Sequence, residues 1–213
     1  MSIGSEPFEI LADFPGWTTS FDLMVRQEQS RSAAGVTYVK DLGPPLWTLK
    51  AQSKVLRPNE LDHWRARLKA LEGGLYTFLG YSLSRVYPIA YPRGSWPTGA
   101  SFDGVSASLA AVNVNRKAIS VSDLPADFAF SVGDYLAIGT DLHQVLEAAV
   151  ASGAGVTPQF EVRPHIWPGV VAGGDDVSVY RPACVMALVP GSVSTDASLN
   201  GWGSIAFQGI EIR

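Results

Sequence analysis

The 213-residue chain carries 16 Lys and Arg against 20 Asp and Glu, a formal net charge of −4, with a single Cys and 46% hydrophobic residues against 17% charged. That length supports one large domain or two small ones with a core that needs no staples, and one thiol excludes both an intramolecular disulfide and a Cys-x-x-Cys metal site. The densest basic stretch, "HWRARLK", is the polar side of one predicted helix, so no basic stripe for reading nucleic acid is present, and no run approaches the ~20 apolar residues of a membrane span.

The first residues, "MSIGSEPFEILADFPGWTTS", begin with acids and lack the basic, apolar and small-residue order of a secretory leader. The expectation is a chain made in the cytoplasm that stays soluble. "FDLMVRQ" sets Phe21, Leu23 and Val25 against Asp22, Met24 and Arg26, and "LWTLKAQSK" sets Trp47, Leu49 and Ala51 against Thr48, Lys50 and Gln52. Period-two alternation of this kind predicts two strands, and the Gly- and Pro-rich "QSRSAAGVTYVKDLGPP" between them reads as the connection of an antiparallel pair.

In "LRPNELDHWRARLKALEGG" the period changes. Leu61, Trp64, Leu68 and Leu71 recur at helical spacing, Pro58 suits a first turn, Glu60 and Asp62 lie toward the positive end, and Gly73-Gly74 supplies a left-handed stop. The spacing predicts one amphipathic helix over about 58–72, anchored on the sheet through Trp64. "LYTFLGY" follows as a strand. Trp17, Trp47 and Trp64 all fit core positions.

From "YPIAYPRGSWPTGASFDG" the texture turns to proline and glycine, which marks a boundary near 86–104. Beyond it "SASLAAVNV", "KAISVS", "DYLAIG", "LHQVLEAAV", "TPQFEVRPHI" and "DVSVYR" are short strands separated by turn signals, and "CVMALV" and "WGSIAFQGIEI" alternate again at the end. The fold class is therefore mainly β. A split N-terminal β-barrel or sandwich, residues 1–88 plus 181–213, carries the helix, and a small β-barrel or sandwich is inserted over 89–180.

Candidate chemistry is sparse. "GDYLAIGTDLHQV" places Asp134, Asp141 and His143 close together, but Gly-Asp and Gly-Thr-Asp are also what a hairpin needs. Strand alternation puts His143 on a half-exposed sheet face. His63 and His165 fall on other elements, so a metal site with three converging ligands is not expected. Cys184 lies in an apolar run and reads as a buried thiol; Asp175-Asp176 reads as a turn; "SGAGV" and "LEGG" lack the strand–loop–helix setting of a phosphate loop. No catalytic, metal or cofactor-binding residue emerges, and no cofactor is expected. Trp96 and Trp167 lie in proline-rich loops; with Tyr91 they either plug the ends of a barrel or offer a sugar-stacking platform.

Two blocks resemble a known family. "WTLKAQSKVLRPNELDHWRARLKALEGGLYTFLGYSLSRVYPI" resembles the strand, helix and strand section of tail proteins of long-tailed bacteriophages, and "GDYLAIG", "LHQVLEAAVASGAG", "FEVRPHI" and "VYRPACVMAL" are similar, in order, to the second half of that family. What the resemblance implies is a distal tail protein, the adaptor between tail tube and hub. In such proteins the split unit forms a ring, here a hexamer, around a channel through which DNA only passes, and the inserted domain projects outward. The implied partners are further copies of the chain, the tail tube protein, the tail hub protein and a tail fibre or receptor-binding protein, and the implied location is the virion. No catalytic residue is inherited. The competing readings are a carbohydrate-binding module or adhesin using Tyr91, Trp96 and Trp167, and a hydrolase using His143 with a nearby acid.

Overall fold

The structure, a computed structural model, describes residues 6–97 and 101–212. The first stretch holds strands β1 (Gly16–Arg31) and β2 (Thr37–Ser53), helix α1 (Pro58–Lys69) and strand β3 (Thr77–Gly80). Then come β4 (Ala107–Val112), β5 (Ala118–Ser122), β6 (Ala129–Phe130), β7 (Tyr135–Ile138), β8 (Asp141–Val145), β9 (Ala149–Val150), β10 (Phe160–Arg163) and β11 (Asp176–Ser178). Strands β12 (Cys184–Leu188), β13 (Ser194–Ala197) and β14 (Gly203–Glu211) close the chain. The protein is mainly β, with one α-helix among the described residues, and divides into two compact units, Met1–Gly80 with Val185–Arg213 and Tyr81–Cys184.

In the split unit the sheet order is β1-β2-β14-β12-β3, with β13 also paired to β14. The alternation of β2 is realised: Trp47, Leu49 and Ala51 are buried, and Leu49 and Ala51 sit opposite Gly209 and Phe207 of β14. α1 buries Leu61, Trp64 and Leu68, and Glu60 closes its first turn by accepting from the Arg57 N–H at 3.1 Å. The helix stops at Lys69, earlier than its periodicity predicts, although Leu71 is still fully buried. A 3₁₀ turn, Glu72–Gly74, follows, in which Gly74 has φ 106° and a side chain there would lie 2.6 Å from the Leu188 carbonyl oxygen. Positive φ and close approach both demand glycine. Phe14 meets Trp64 and Phe207 edge to face, each at 5.2 Å, so the helix reaches the sheet through a ring ladder.

Two expectations for this unit fail. Trp17 is 79% exposed instead of buried, because the register shifts between Gly16 and Thr18 and leaves Trp17 out of the β1–β2 ladder. The stretch read as a connection is mostly strand: β1 and β2 pair from Gly16↔Ser53 out to Arg31↔Thr37, with a tight turn in which the Ser32 N–H donates to Val36 O and the Gly35 N–H to Ser32 O. Pro44-Pro45 are accommodated because they face the register break between Met24 and Arg26, outside Thr48–Gln52, where β14 pairs with β2.

The second unit is a closed barrel, β10-β5-β4-β11-β7-β8, with a separate β6–β9 pair. Its core holds Phe128, Phe130, Phe160, Leu136 and Val177, all at 1% exposure or less. Of the two architectures open for the middle of the chain, the barrel is the one formed.

Candidate functional site

The acid and histidine stretch is a hairpin. β7 and β8 pair from Tyr135↔Gln144 to Ile138↔Asp141, closing over Gly139 at φ 58°. Asp134, 1% exposed, spends both oxygens on backbone: Oδ1 accepts from the Ile89 N–H and Oδ2 from the Ser131 N–H, each at 2.7 Å. Burial pushes its carboxyl above the usual range, while those amides and the Arg85 charge pull it back. Its role is to pin two loops to the barrel.

His143 is not on a half-exposed face; it is 0% exposed. The segment after β10 covers the outer side of β8, and His143 Nδ1 donates to the Pro164 carbonyl oxygen at 2.8 Å. A strand covered on both faces buries side chains of both alternating sets, as β8 does at Leu142, His143 and Val145, which alternation alone does not reveal. Replacing His143 with Ala is expected to cost about 2–4 kcal/mol, from the cavity and from the stranded Pro164 carbonyl. Denaturant unfolding measures it, and a loss below about 0.5 kcal/mol, the range of surface changes, contradicts this role.

The remaining candidates do not converge. His63 lies on α1, and among the described residues no three His, Cys, Asp or Glu side chains are grouped to hold a metal ion. Cys184 is buried. Asp175 Oδ2 accepts from the Ala172 N–H at 2.7 Å, which makes a turn of "AGGDD". Gly155 of "SGAGV" has φ 73° and lies so close to Leu124 that a Cβ would come 2.2 Å from its carbonyl oxygen, so this glycine serves packing.

The aromatic platform is likewise not assembled. Trp96 packs against Tyr87, Tyr91, Phe102 and Phe128, with ring centroids 5.2–6.2 Å away. Tyr91 is 8% exposed, and its hydroxyl oxygen accepts from the Ala129 N–H at 2.7 Å. Tyr91 belongs to the barrel core and Trp96 packs half-buried against it, whereas Trp167 is 45% exposed.

The feature that sequence reasoning missed is the ribbon over 26–43. Beyond Met24↔Leu46 the strands pair with each other, and β14 joins β2 only from Thr48 onward, so among the described residues both outer edges of the ribbon carry no ladder. Tyr38, Val39 and Leu42 are 60%, 54% and 53% exposed. The β-rich "TYVKDL" was the available signal, masked by flanking Gly and Pro. No helix among the described residues is long and apolar enough to cross a membrane. Compared with known proteins, the chain matches no family model and no curated protein.

Proposed function

We propose that this chain is a ring-forming structural protein of a bacteriophage tail tip, which joins the tail tube to the hub and the receptor-binding apparatus. The observation that carries the reading is the two-stranded ribbon, with its open edges and exposed Tyr38, Val39 and Leu42. A two-stranded ribbon in water is marginal by itself, and open edges invite pairing with another chain. A second copy is the occupant favoured here, because a head-to-tail contact that closes gives a ring with every ribbon covered. The two resembling sequence blocks add the tail context, with a hexamer as the expected ring and the virion as its location.

The competing readings are less well supported. A carbohydrate platform needs Tyr91 and Trp96 free at the surface, whereas Tyr91 lies in the barrel core and Trp96 is half-buried against it. A hydrolase needs His143 in reach of substrate, and it is buried. The role is structural, without a catalytic step.

Light scattering after size exclusion tests the proposal on two proteins: the full chain, and a variant in which an Asn-Gly turn joins Arg26 to Gly43. Asn-Gly is chosen because it favours the two-residue hairpin turn that an Arg26↔Gly43 pair needs. The full chain is expected at ring mass and the shortened one at monomer mass with its strand circular dichroism retained. A full chain that stays monomeric at all concentrations, or a shortened chain that assembles equally well, overturns the reading.

A further inference from the structure

At one end of the barrel, cations distant in sequence come together. The Ile166 N–H donates to Arg116 O and the Val162 N–H to Lys117 O, each at 3.0 Å, so the β4–β5 turn lies against the segment that carries Arg163, His165 and Trp167. Arg116 and Lys117 are exposed and Arg163 and His165 half-buried. Arg163 is fixed in place: its Nη1 bonds Glu161 Oε1 at 2.6 Å and His165 Nδ1 at 3.1 Å. Burial and the Arg163 and Lys117 charges hold the His165 imidazole below its usual range, with Glu161 opposing them. A neutral imidazole is what lets Nδ1 accept from the guanidinium, so charge and geometry agree.

The concentration is not a reflection of overall charge. Residues 81–184 contain six Lys and Arg against nine Asp and Glu, a net charge of −3, and three of those six cations are gathered here. Arg116 also occupies φ 57°, a left-handed position that Asn or Gly fills with less strain. Beside it Trp167 is 45% exposed.

We infer that this end of the barrel binds an anionic polysaccharide, with Arg116, Lys117 and Arg163 meeting its sulfate, phosphate or carboxylate groups and Trp167 stacking on a sugar ring. A single flexible anionic chain can engage a local cluster on an otherwise acidic unit, whereas the plane of an anionic membrane would meet the surrounding negative charge as well. Single-stranded nucleic acid is held by successive aromatics, and one exposed tryptophan suits one ring. The inference stands whether or not the chain forms a ring.

Titration of the full chain with size-defined dextran sulfate tests it, alongside neutral dextran, oligo(dT) and phosphatidylglycerol vesicles. Binding is expected to dextran sulfate, to weaken more than about tenfold in an Arg116→Gln, Lys117→Gln double variant, and to lose about 1 from its salt slope for each cation removed. Trp167→Ala is expected to weaken binding several-fold and leave the slope unchanged, which separates stacking from charge. Thermal unfolding of each variant checks that the barrel persists, and Lys117→Gln alone serves if the double variant unfolds. Absence of binding, equal binding by a folded charge variant, equal binding of neutral dextran, or tighter binding to oligo(dT) or vesicles each overturns the inference.

Discussion

Replacing Trp64 with Ala is expected to destabilise the split unit by about 3–5 kcal/mol, as large-to-small core changes of a tryptophan do. Trp64 is 6% exposed and holds α1 through the edge of Phe14, which in turn meets Phe207 of β14 at 5.2 Å; Phe207 lies 6.2 Å from Phe78 of β3. Arg67 lies over the indole at 4.6 Å and loses that surface too. Removing the indole therefore strips the first rung of a ladder that runs from helix to sheet, and the helix is too short at 12 residues to hold without tertiary contacts. The matched control is Trp17→Ala: the same deletion at 79% exposure should change stability by less than about 0.5 kcal/mol in the isolated chain. Denaturant midpoints with unchanged slopes decide it. Near-normal stability of the Trp64 variant would sink the anchor assignment.

That contrast shows which parts of the fold were legible. Where burial is set by a local period, the residues announce it: Leu61, Trp64 and Leu68 on α1, and Trp47, Leu49 and Ala51 on β2, are buried as their spacing predicts. Trp17 is not, because a one-residue break in pairing, between Gly16↔Ser53 and Thr18↔Gln52, is a property of two strands together and leaves no mark in either one. The ribbon was hidden for a related reason. Gly43 and Pro44-Pro45 are turn signals in isolation, and only the place where β14 stops pairing makes them compatible with a strand.

The site region follows the same division. Gly139 and its neighbours gave the hairpin from local turn chemistry, and Asp134 serves as the backbone cap that Gly-Asp suggests. The burial of His143 comes from Pro164, on a segment that the barrel brings over β8, so no window around "LHQV" contains it. The cationic end is the extreme case: Arg116 and Lys117 are an unremarkable pair, Arg163 and His165 another, and only the closing of β10 onto β5 makes them one surface. Local order was readable; juxtaposition across the barrel was not.

Excising Tyr81–Cys184 and joining Gly80 to Val185 through a short Gly and Ser linker is expected to leave a protein that folds cooperatively. The split unit has its own sheet and its own buried rings, Trp47, Phe78 and Phe207 among them. The ends to be joined are neighbours: β3 and β12 are adjacent in the sheet, and a side chain built on Gly80 would lie 2.2 Å from Met186 Sδ. A linker of a few residues therefore spans the gap without strain, and shortening the connection lowers the entropy cost of closing it, which varies only slowly with length. Under the proposed function the excised chain keeps the subunit number of the full chain, because the ribbon that closes the ring lies within the retained part. Light scattering together with strand circular dichroism separates the outcomes. A folded monomer from a full chain that forms rings moves the assembly contact into the excised barrel, and an unfolded product means that the two units depend on each other for stability.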